Sequence, residues 1–233
     1  MNNIKTIICL ASSRKWSGRC VVGKELQNKQ WIRPVSERPT GEILLKPKPL
    51  EILSIPIVEY KPHDYQQENY LVLEENWKKK GKIAWRELSG LTDKVTGDLW
   101  TNGYSSYNGV NDRIPQDEAN KLKNSVLLLQ PDNFTITINS EWAGKKKIRA
   151  VFSVNHTTYK LIITDPKIEN FFINNYSGEY HFNAKQLYLC LSLGEPFQGY
   201  CYKLVASVLF KHWWLPYLAS VRGLFTRLKN NPL

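Results

Sequence analysis

The run NFTITIN, residues 133–139, decides the fold class: Phe134, Ile136 and Ile138 fall on one side and Thr135 and Thr137 on the other. That period of two is the pattern of a half-buried strand. KIRAVFSV (147–154) and TYKLIIT (158–164) follow, with Asn155-His156-Thr157 between them as a tight hairpin turn. Working outward, SVLLLQ (125–130) precedes the run. A short helix is expected over Lys167 to Asn174, and a hairpin of residues 186–193 and 200–210 comes after it. The N-terminal part repeats this pattern. IKTIICLA (4–11), RCVVGKEL (19–26), QWIRPV (30–35) and LEILSIPIVEY (50–60) read as short strands rich in β-branched residues. Residues 12–18, SSRKWSG, read as the loop of the first hairpin, and Pro34 either stops its strand or puts it at an edge. Between the two groups, residues 61–120 carry turn dipeptides such as Asn102-Gly103 and Asn108-Gly109. They allow a short helix over Ala84 to Leu91 and another over 115–124 started by Pro115. The expectation is a mainly β chain of two small units of about a hundred residues each, with a loop-rich, partly helical insertion and a C-terminal helical tail.

Charge is uneven along the 233 residues. The net is +11 and the sequence pI about 9.4. Residues 1–50 hold ten Lys/Arg against three acids, residues 51–120 eight against twelve, and residues 121–233 fourteen against six. Two basic ends flank an acidic middle, so folding that joins the ends makes one positive surface, suited to a polyanion. The alternative is a basic protein with no such partner. Hydrophobic content of 42% is enough for a core. No run of 18 apolar residues occurs, so a membrane-spanning helix is not expected.

Cys9, Cys20, Cys190 and Cys201 follow no leader-like segment and no zinc-site spacing. Reduced thiols, a cytoplasmic location, and no metal or cofactor are expected. CLASSRKWSGRC (9–20) and CLSLGEPFQGYC (190–201) align without gaps, sharing Cys, Leu, Gly and Cys with an aromatic in the loop. An internal duplication is one reading; chance recurrence in hairpin loops is the other.

Arg14, Lys15, Trp16, Arg19, Lys24, Trp31 and Arg33 place two aromatics among five cations. A single-strand binder uses that mixture, cations following phosphates and ring faces stacking bases. Otherwise the cations are a solvated face and Trp31 is core. Lys145, Lys146, Lys147 and Arg149 form a second basic cluster after Trp142. Lys78 to Lys80 with Lys82 form a third, partly neutralised by Glu74 and Glu75. Asp165 and Glu195 sit in Thr-Asp-Pro and Gly-Glu-Pro turns, where a turn role competes with a catalytic one. No catalytic motif is present, and binding is favoured over catalysis. Residues 211–233 join Trp213, Trp214, Tyr217, Leu224 and Phe225 with Lys211, Arg222, Arg227 and Lys229. The pattern suits a helix packed on the protein or on a protein partner, favoured over one lying on an anionic membrane.

Several ordered segments resemble the dual OB-containing domain family of bacteria: GRCVVGKE (18–25), WIRPVS (31–36), YQQEN (65–69), TDP (164–166), SLGEP (192–196) and YCYKLVA (200–206). The resemblance spans residues 4–210. It implies two OB-like barrels, expected at 1–120 with the acidic insertion and at 121–210, with 211–233 as a basic aromatic tail. It also implies recognition of nucleic acid (single-stranded DNA or RNA) or of nucleotide in a prokaryotic conflict system, and it carries no catalytic residues. The remaining alternatives are a nucleotide-processing enzyme using Asp165 and Glu195, and an adaptor acting through Lys211 to Lys229.

Overall fold

The computed structural model describes residues 3–140 and 146–212. Lys145 and all of the expected tail except Lys211 and His212 lie outside the described residues.

The first unit is built from β1 (Asn3–Lys15), β2 (Gly18–Glu25), β3 (Trp31–Val35), β4 (Glu51–Tyr60) and β5 (Asn69–Val72). Their order, β1-β2-β3-β5-β4, closes because β4 also pairs with β1. One strand serves both neighbours: Asn3 to Ile8 pair with β4 and Ile7 to Lys15 with β2. The bend this requires falls at the irregularity between Cys9 and Ala11. There the chains approach so closely that a side chain at Gly23 would begin 2.3 Å from the Ile8 carbonyl oxygen. β1 therefore runs on through Ser12 to Lys15, which the sequence reads as loop. β3 is flanked on both sides, by β2 and in parallel by β5, yet it tolerates Pro34. That residue lies past Ile32, where pairing with β2 ends. β6 (Lys78–Lys82) adds to β4. Both β5 and β6 come from the segment expected to be an insertion.

The second unit contains β7 (Arg113–Pro115), α1 (Gln116–Ala119), β8 (Val126–Leu129), β9 (Asn133–Ser140), β10 (Lys146–Val154) and β11 (Thr157–Ile163). α2 (Pro166–Phe172), β12 (Gly178–Phe182), β13 (Leu187–Phe197) and β14 (Tyr200–Phe210) complete it. Its order is β12-β9-β10-β11-β14-β13-β8, with β7 on β14. β8 and β9, separated by residues 130–132, play the part that unbroken β1 plays in the first unit. One pairs with β13 and the other with β10. The parallel pairing recurs too, β3 with β5 and β11 with β14. Both units thus follow one cyclic order, that of two OB-like barrels. Asn155 and His156, both at positive φ, make the two-residue turn into β11. The expected helix over 115–124 shrinks to α1, and the one over 84–91 is a 3₁₀ helix at Trp85–Leu91.

The continuous apolar runs have a physical reason. On β1, Ile7 and Cys9 enter the core of the first barrel while Ile8 and Leu10 enter a cluster shared with the second. On β13, Leu189 and Leu191 face the second barrel's core and Tyr188 and Cys190 the shared cluster. Strands buried on both faces lose the alternation of half-buried ones. This also corrects the duplication reading. Cys9–Cys20 spans β1–β2, whose counterpart in the second barrel is β9–β10, whereas Cys190–Cys201 spans β13–β14. The two hairpins therefore hold different places in the common strand order.

Two buried ionic clasps cross that seam. Arg33 donates from Nε and Nη2 to Glu68 Oε1 (3.2 and 3.0 Å) and from Nη2 to Ser125 Oγ (2.7 Å) and Ser192 Oγ (3.2 Å). Lys24 donates to Asp93 Oδ1 at 2.6 Å, and Asp93 Oδ2 accepts from Trp31 Nε1 (3.2 Å) and from the Leu128 amide (2.7 Å).

Candidate nucleic-acid interface

The β1–β2 turn has two residues, Trp16 and Ser17, between the paired Lys15 and Gly18. Gly18 is required here, since a side chain would meet the Ile43 carbonyl oxygen at 2.5 Å. Trp16 sits at φ +45° and is 73% exposed. An exposed indole on a left-handed backbone is costly unless something uses it. The hairpin leans on the second barrel. The Arg14 amide donates to the Thr164 carbonyl (2.9 Å), and Arg14 Nη2 to Glu169 Oε1 of α2 (2.6 Å).

Glu169 marks the centre of the arrangement. Burial raises its carboxyl and so does the nearby Asp165, while Arg14, Lys147 and Arg19 act to lower it. Arg14 is in direct contact with this carboxylate, and Arg19 from the first barrel and Lys147 from β10 are near enough to act on it, against the single further acid Asp165. Lys146 donates to the Asn175 carbonyl at 2.7 Å, beyond the end of α2. On the other flank, Lys15 Nζ lies 2.9 Å from Glu195 Oε1 on β13. Two residues further along, Phe197 at the β13–β14 tip is 61% exposed. The two hairpins of the Cys pattern are thus tied side by side, each with an exposed aromatic at its tip.

A cavity of about 130 Å³ opens between them, lined by residues including Ser13, Lys15, Arg33, Gln66, Ser192 and Glu195.

The structure brings Arg14, Lys15, Trp16, Arg19, Lys146 and Lys147 to this region. It places Lys24, Trp31, Arg33 and Arg149 among the buried residues. Lys24, Trp31 and Arg33 take part in the clasps, and Arg149 lies within β10. Asp165 caps α2: Oδ1 accepts from the Lys167 amide, and Oδ2 from Ser207 Oγ and the Val208 amide, each near 3 Å. Burial raises its carboxyl. Its oxygens are committed to structure, which disfavours the catalytic alternative. Sequence reasoning missed Glu169 and gave Phe197 no role, although the aromatic in the second Cys hairpin was its signal. Among the described residues no group of His, Cys, Asp and Glu could hold a metal, and no helix is long and apolar enough to cross a membrane.

A family model described as dual OB-containing domain matches residues 5–208. No curated protein matches the chain. Among solved structures, the p204 HINb domain is 10% identical over 88% of this chain and 93% of its own, with a TM-score of 0.32. The tetrameric p202 HIN2 domain is 8% identical over 90% and 95%, with a TM-score of 0.30. The Ifi202 HINa domain in complex with 20bp dsDNA is 10% identical over 86% and 91%, with a TM-score of 0.27. Superposition that loose carries no argument.

Proposed function

The chain belongs to the dual OB-containing domain family, and we propose that within this fold it is a nucleic-acid-binding module acting on single strands through the face shared by the two hairpin tips and α2. One observation carries the reading. Arg14 reaches across from the first barrel to Glu169 of α2, with Arg19 paired opposite it on β2 and Lys147 of β10 acting on the same carboxylate, next to an exposed Trp16. Cations from two elements on one face can follow a phosphate backbone, and an exposed ring face stacks an unpaired base. Duplex bases, already stacked on each other, offer Trp16 no such face, which favours single strands.

The test is fluorescence anisotropy with labelled single- and double-stranded DNA and RNA at two salt concentrations. Single strands should bind more tightly than duplexes, and less tightly as salt rises. Trp16→Ala should weaken single-strand binding about 5- to 150-fold, the worth of one stacked base. Wild-type affinity in that variant would refute the reading.

A further inference from the structure

We propose that the cavity between the two hairpins is a subsite for a phosphate monoester at the end of a bound strand. This rests on the nucleic-acid reading above and adds to it a preference for phosphorylated ends.

Size comes first. About 130 Å³ is roughly four water volumes, well below the several hundred Å³ of typical small-molecule sites. A phosphate group fits that space and a whole nucleotide does not.

The lining is rich in donors. Arg33 Nη1 spends one of its two hydrogens on Cys20 Sγ at 2.9 Å and keeps the other. Gln66 is buried, and its Oε1 accepts from Asn69 Nδ2 at 3.2 Å, so the group left for a ligand is its NH₂. Ser13 contributes a hydroxyl whose own bond, to the Cys20 carbonyl, is long at 3.4 Å. Lys15 stands at the rim with Glu195 as the carboxylate it already holds. Arg14, Lys15 and Arg33 line the cavity with Glu195, and Arg14 and Arg33 also hold Glu169 and Glu68 behind it. A dianionic oxygen group takes Lys15 from Glu195 and gains the spare donors of Arg33 and Gln66, inside a partly dry site where charge-assisted bonds are strong.

Position makes the ligand the end of a strand. The cavity lies between two hairpins whose tips expose Trp16 and Phe197, so a chain stacked on those rings has its terminus within reach of the opening.

The experiment compares one oligonucleotide with 5′-phosphate, 3′-phosphate and hydroxyl ends, binding to the full chain, with a nucleoside monophosphate as competitor. Wild type should prefer one phosphorylated end by at least about tenfold, the worth of one charge-assisted hydrogen bond. Gln66→Glu retains the acceptor for Asn69 and places a carboxylate where the phosphate sits; the ratio should fall to about one. Lys15→Gln should lower the ratio as well, any general loss cancelling. Equal affinity for all ends in wild type would overturn the subsite while leaving the nucleic-acid reading intact. Binding of none of the oligonucleotides would overturn both. Tight binding of the monophosphate without any oligonucleotide would overturn the assignment to strand ends.

Discussion

Removing one partner of the Arg33–Glu68 clasp should cost far more than removing both. Both side chains are almost wholly out of water, 3% and 4% exposed. Glu68 accepts two bonds from Arg33, one from the Ser125 hydroxyl and one from the Ser125 amide. Arg33→Met removes the cation and leaves a buried carboxylate with Ser125 alone to solvate it. Breaking a buried pair in this way costs about 3–5 kcal/mol. Glu68→Leu strands the guanidinium and should cost a similar amount. In the double variant neither charge remains, so the loss should fall short of the sum by about 2 kcal/mol or more. Urea denaturation under reducing conditions, followed by intrinsic fluorescence and circular dichroism, measures all four forms. Because Ser125 and Ser192 carry the clasp into the second barrel, wild type should unfold in one transition by both probes. Single variants within about 0.5 kcal/mol of wild type, or a double variant equal to the sum, would refute the account of a seam held by buried charge.

Asp165→Ala removes a helix cap and leaves Val208 N–H and Ser207 unpaired; it should cost about 2–4 kcal/mol by thermal or chemical denaturation. Trp16→Gly relieves the left-handed backbone of an exposed residue, so its melting temperature should match or exceed that of wild type while oligonucleotide affinity falls as in Trp16→Ala. A lower melting temperature would give Trp16 a packing role instead. Burial lowers the Lys203 ammonium from 10.5 to about 7, against the pull of Asp98 and Asp112. From about pH 7 upward the unfolded chain therefore binds the proton that the folded one has released, and stability rises with pH across that window. Measured between about pH 6 and pH 9, wild type should gain stability relative to Lys203→Met. A constant difference would mean that Lys203 stays charged.

Much of the fold is legible in the sequence. The strands that read clearly are those whose apolar residues alternate, as in β9, or run unbroken, as in β1 and β13. β6 is hidden because Lys78-Lys79-Lys80-Gly81-Lys82 has no apolar face, its place being fixed by pairing with β4. β12, Gly178–Phe182, is short and joins the sheet only at β9. The site was half legible. Arg14 to Arg19 are neighbours in sequence and stay neighbours on the hairpin. Lys24 and Arg33 belong to the same basic stretch but turn inward, toward carboxylates 69 and 35 residues away. No local pattern announces partners at that distance. The convergence on Glu169, 155 residues from Arg14, is likewise a product of the seam.

The most direct test is the salt dependence of single-strand binding, for wild type and for a variant with Arg14, Arg19 and Lys147 all changed to Ser. If the three cations act together on the backbone, the slope of log affinity against log salt should become shallower by about 2, near 0.7 for each phosphate no longer neutralised. An unchanged slope would mean that no phosphate lies on this face, and the assignment of the two-barrel seam as a nucleic-acid surface would be wrong.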